Sequence, residues 1–86
     1  MAWAHGRLGG DRWLRDARRR LARALGTGGR LDELWLDKIE RLDAYRVTAR
    51  CRVSGSPVEL WAQGDPDQAL GELERAARRV ALDLAH

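Results

Sequence analysis

The sequence predicts a small two-layer α+β domain: two helices on one face of an antiparallel sheet, in the order (β)-α-β-β-β-α. Three observations lead there. Residues 11–25 repeat apolar side chains at three- and four-residue steps. Residues 45–63 alternate strictly about a tight turn. Residues 65–84 return to the helical period behind a strong start signal. At 86 residues the chain makes one domain, spanning 1–86, with a simple core.

Each element has its own local reason. The opening "MAWAHGRLGG" alternates small and large residues from Met1 to His5 before breaking at Gly6, Gly9 and Gly10, which fits a short edge strand or a tail. In "DRWLRDARRRLARALGTGG", Asp11 is placed to cap a helix, because its carboxylate can accept the unpaired amides of the first turn. Leu14, Ala17, Leu21, Ala24 and Leu25 form one apolar face, and Gly26 can adopt the left-handed conformation that ends the helix. "RLDELWLDKIERLDA" is ambiguous. Leu31, Leu34 or Trp35, Ile39 and Leu42 fit a helix, whereas Leu34 and Leu36 around Trp35 fit a strand. A strand near residues 32–39 is preferred, since a two-stranded hairpin alone is rarely stable.

In the following strand Tyr45, Val47, Ala49, Cys51 and Val53 share one face, and Arg46, Thr48, Arg50 and Arg52 the other. Gly55 supplies the positive φ of a hairpin. With Gly55-Ser56 as the loop, Val53 would face Val58, Cys51 would face Leu60, Arg52 would face Glu59 and Arg50 would face Trp61. Asp65 caps the last helix, Pro66 suits its first position and Gln68 completes a capping box. Leu70, Leu73, Ala77, Val80 and Leu84 form the face expected to cover the sheet.

Composition bounds the function. The apolar fraction of 44% and charged fraction of 34% describe a folded soluble domain. The apolar runs are too short to span a bilayer, and the start lacks the pattern of a secretory leader, so a cytoplasmic protein is expected. One cysteine excludes an internal disulfide, and histidines only at positions 5 and 86 argue against a zinc site. No phosphate loop, dinucleotide fingerprint or paired catalytic groups are seen, so neither an enzyme nor a cofactor is expected. Cys51 lies on the inward face of a strand, where cysteine acts as a small hydrophobe.

The net charge of +3 hides an asymmetry: residues 1–30 carry eight arginines against Asp11 and Asp16, and the remainder is net acidic. Fifteen of the sixteen basic residues are arginine, the side chain suited to forked contacts with phosphate or carboxylate. Arg12, Arg15, Arg19 and Arg23 form a stripe along the first helix, and Arg46, Arg50 and Arg52 stand on the open sheet face with Trp61. Such surfaces can meet phosphates and stacked bases, although solvated charge that keeps a small domain soluble reads the same way.

The line "HGRLGGDRWLRDARRRLARAL" resembles the start of the ribosome hibernation promoting factor and ribosome-associated inhibitor family. "YRVTARCRVSGSPVELWAQGDPDQALGELERAARRV" is similar to that family's strand, turn, strand and long helix. The resemblance implies a β-α-β-β-β-α fold related in shape to double-stranded RNA-binding domains, and a role in blocking the decoding region of the small ribosomal subunit. It implies rRNA-phosphate contacts from Arg12, Arg15, Arg19 and Arg23, with Arg75, Arg78 and Arg79 as counterparts on the second helix. The chain departs from the pattern by carrying Glu72, Glu74 and Asp83 on that helix.

The expectation is therefore a non-enzymatic domain that binds structured RNA or the small ribosomal subunit and regulates translation. The alternative is a small protein-binding inhibitor or adaptor, of the kind phages encode, acting on a nucleic-acid-handling enzyme. A homodimer burying Trp35 or Trp61 is compatible with either. A basic surface continuous across both helices would favour RNA, and a basic face opposed by an acidic one would favour a protein.

Overall fold

The computed structural model describes residues 10–84, with side chains from Arg12 onward. Helix α1 (Gly10–Leu25) leads into strands β1 (Gly29–Ile39), β2 (Ala44–Val53) and β3 (Ser56–Gly64), and helix α2 (Pro66–Leu84) closes the chain. The expected α+β order holds across these residues. The edge strand considered for Met1–His5 lies outside them, as do Trp3 and both histidines. The three strands form an antiparallel meander in the order β1-β2-β3.

Both helices pack on one face of this sheet. Ala17, Leu21 and Leu25 of α1 and Ala69, Leu70, Leu73 and Ala77 of α2 close over Leu34 and Leu36, over Val47, Ala49, Cys51 and Val53, and over Ala62. Leu84 was expected in this face but is 39% exposed, because the last turn of α2 runs past the core. Helix α1 starts at Gly10, so Asp11 belongs to its first turn rather than capping it; helix ends shift by a residue where nothing opposes another turn. Gly26 ends the helix as expected, at φ 78, with its N–H donating to the Ala22 carbonyl.

The ambiguous segment is an 11-residue strand that runs beyond both expected ends. A bulge between Leu31 and Glu33 explains the ambiguity: Leu31 pairs with Cys51, but the next inward pair is Leu34 with Ala49. The extra residue, Asp32, turns an apolar spacing of three followed by two into one continuous inward face. A short 3-10 turn at Glu40–Leu42 and a left-handed Asp43 (φ 50) then reverse the chain into β2.

The β2–β3 hairpin has the expected faces but not the expected register. The loop is Ser54-Gly55, with φ of 51 and 83, a pair of positive values that fits the right-handed strand twist. Val53 therefore pairs with Ser56, Cys51 with Val58, Arg50 with Glu59, and Thr48 with Trp61. The loop is Ser54-Gly55 rather than Gly55-Ser56 because Ser54 itself takes the left-handed conformation. Moving the loop by one residue shifts partners by two, which preserves the faces and changes every pair.

The helices run parallel and in step. Trp13 Nε1 donates to Asp67 Oδ1 at 2.9 Å and Arg20 hydrogen-bonds Glu74, each 54 residues apart in sequence. Both helices thus end beside the β2–β3 hairpin. Asp65 Oδ2 accepts from the Asp67 N–H at 3.2 Å, the predicted cap of α2. The reciprocal Gln68 bond of a capping box is not formed; the Gln68 amide lies beside Gly64 instead.

Candidate nucleic-acid interface

The arginines fall on two separate surfaces with different electrostatics. The first is the outer side of the helix layer. Arg12, Arg15, Arg19 and Arg23 of α1 and Arg75, Arg78 and Arg79 of α2 are all exposed there. They are unevenly spread. The C-terminal half of α1 carries Arg18, Arg19, Arg20 and Arg23 without an acid, and that of α2 carries Arg75, Arg78 and Arg79 against Asp83. In the N-terminal halves, Arg12 and Arg15 are matched by Asp11 and Asp16, and α2 offers only Asp67, Glu72 and Glu74.

Because the helices are parallel and in step, the two basic halves lie side by side, and the acidic half of α2 lies at the opposite end. Among the described residues Arg18, Arg23, Arg75, Arg78 and Arg79 form no ion pair within 4 Å. Arg19 makes only a long, exposed contact of 3.7 Å with Asp16. Arg20 differs: its hydrogen bond with Glu74 raises the guanidinium's pKa and holds the Glu74 carboxyl below its ordinary value. Arg20 thus joins the helices and stands apart from the exposed arginines. Helix-wheel position could have shown this, since Arg20 lies on the flank shared by Trp13 and Ala24. The negative end of the α1 dipole also favours Arg23, which lies in its last turn.

The second surface is the open face of the sheet, where the predicted Arg46, Arg50, Arg52 and Trp61 stand on adjacent strands. Their charges are already engaged. Arg46 donates to Gln63 Oε1 at 2.7 Å and lies 5.0 Å from the Trp61 ring centre. Arg50 lies 3.3 Å from Glu33 Oε1 and 5.7 Å from the Trp35 ring centre. Arg30 and Arg52 share the bulge residue Asp32, at 3.0 and 3.9 Å. Four arginines on this face meet four acids, Asp32, Glu33, Asp37 and Glu59, so it carries no net charge.

Across its middle run Trp35, Thr48 and Trp61, one from each strand. Thr48 is only 5% exposed although no helix covers it; the flanking indoles bury it, and Trp61 itself stays 59% exposed. The alternation of residues 45–53 places Thr48 outward, but register was needed to find both tryptophans beside it.

Burial pushes the Cys51 thiol up in pKa, and its Sγ lies 3.6 Å from the Val58 carbonyl, to which it donates. Among the described residues no three His, Cys, Asp or Glu groups come close enough to hold a metal ion. No helix there is long and apolar enough to cross a membrane. Comparison of the chain with protein-family models, with curated proteins and with solved structures gives no match.

Proposed function

We propose that the chain is a non-enzymatic domain that binds structured RNA through the C-terminal halves of α1 and α2. The observation that carries this is the set of exposed arginines on adjacent helices, Arg19 and Arg23 beside Arg75 and Arg78, of which only Arg19 has an acid within 4 Å among the described residues. Forked guanidiniums spaced along two parallel rods suit a surface of phosphates on more than one strand. The sheet face plays no such part in this reading, because its arginines are neutralised by neighbouring acids. Resemblance to the ribosome hibernation family makes small-subunit rRNA the first RNA to offer, and a role in restraining translation the corresponding biology.

Affinity that rests on phosphate contacts must fall with salt. Four to five contacts predict a loss of about 100- to 500-fold in binding constant between 50 and 200 mM salt. The test is co-sedimentation with ribosomal subunits and filter binding to a structured RNA at both salts. The comparison protein combines Arg19→Glu, Arg23→Glu and Arg78→Glu. All three positions are exposed, so circular dichroism should be unchanged while binding is lost. Equal binding by the folded triple variant overturns the proposal.

A further inference from the structure

We propose that the open sheet face is a homodimer interface, with a second copy of this chain packed on it about a twofold axis running along β2. The proposal is independent of RNA binding and rests on the pattern of the face.

That pattern is nearly symmetric about β2. Trp35 and Trp61 stand on either side of Thr48, and Glu33 and Glu59 on either side of Arg50. A twofold axis along β2 exchanges the β1 and β3 sides. Trp61 of one copy then meets Trp35 of the other, twice over, and the two Thr48 residues meet on the axis. A small residue at the centre flanked by large aromatic ones leaves room for the indoles to interleave, and exposed aromatics with arginine are the composition of an interface centre.

Charge supports a second copy over a polyanion. The face is neutral and its arginines hold partners of their own, so it offers phosphate no net attraction and can be buried with those partners in place. Perfect superposition would set Arg50 against Arg50, but stacked sheets cross at about 30°. Two residues along β2 from the crossing point at Thr48, about 6.6 Å, that rotation displaces the rows by about 3 Å, over half the spacing between strands. Arg50 then lies toward a glutamate of the other copy whichever way the sheets turn, since Glu33 and Glu59 flank it on both sides. Arg46 lies toward Asp37 or Gln63 in the same way.

The face measures about 30 Å by 14 Å in plan, from strand length and spacing. Counted on both copies that is about 840 Å² in plan, below the standard size of specific interfaces, so the dimer expected is a weak one that forms at high protein concentration.

Sedimentation equilibrium of the RNA-free protein, loaded from about 5 to 200 μM, tests this directly. The expected result is a monomer–dimer equilibrium that Trp61→Glu weakens by about 100-fold or more, with unchanged circular dichroism because Trp61 is exposed. Arg50→Glu should weaken it too, by facing three carboxylates with three. Glu72→Gln, on the opposite side of the molecule, should leave it intact. A native protein that stays monomeric throughout overturns the proposal, leaving the face to a different protein. A dimer that Trp61→Glu leaves undiminished overturns it equally, by placing the contact elsewhere.

Discussion

Single residues hold the hairpin and the helix–strand crossing. A Cβ at Gly29 would lie 2.8 Å from the Leu25 Cβ and 3.2 Å from its carbonyl oxygen. Leu25 is buried and the oxygen is backbone, so neither can yield cheaply. Gly29→Ala should cost about 1–3 kcal/mol, read as a lower urea midpoint at unchanged slope. Ser54 carries a strain that can be relieved, since it holds φ 51 in a turn that favours Asn-Gly. Ser54→Asn should raise stability by up to about 1 kcal/mol, because asparagine tolerates the left-handed region and the backbone bond from residue 54 to Gly28 is untouched. The turn was legible as a turn from Gly55. Its register was not, because a serine gives no sequence sign that it will adopt a positive φ.

At the scale of elements, helices were the most legible and β1 the least. Helical periodicity over α1 and α2 is enforced by one continuous apolar stripe, and Asp65-Pro66 marks its start on α2. β1 carries its stripe across a bulge, and the three-residue step from Leu31 to Leu34 that the bulge creates is also a helical step. No local rule separates them; pairing with β2 does. The docking of α1 to α2 through Arg20 and Glu74 was also hidden, since those residues lie 54 apart. It has a pH signature. The folded state holds the Glu74 carboxyl below its ordinary pKa, chiefly through the Arg20 hydrogen bond. The stabilisation is therefore complete above the ordinary carboxylate range and is lost as the pH falls through the lower folded value. Arg20 is 40% exposed, so solvent screening keeps the pair near about 0.5–1 kcal/mol. The stability gap between the native chain and Glu74→Gln should hold steady from pH 7 to about 5 and shrink as the pH falls below about 4, followed by urea titrations across that range.

Over the whole molecule, the sequence displayed the arginines but not their division between two electrostatic surroundings. A charge count over the first thirty residues assigned the basic character to α1 alone; the parallel, in-step helices make it a property of one end of the layer. The sheet arginines looked equivalent to the helix arginines until pairing placed Glu33, Asp32 and Gln63 beside them. This division predicts how single substitutions act on RNA affinity. An arginine that contacts phosphate contributes about one unit to the slope of log binding constant against log salt. Arg23→Gln and Arg78→Gln should each lower that slope by about one and weaken binding to all RNA sequences alike. Arg46→Gln removes a side chain that already serves Gln63 and Trp61, so it should leave the slope unchanged. Salt titrations of the three variants on one structured RNA decide the matter. A slope lowered by Arg46→Gln but not by Arg23→Gln would move the nucleic acid from the helices to the sheet, and would set it in competition with the second copy proposed for that face.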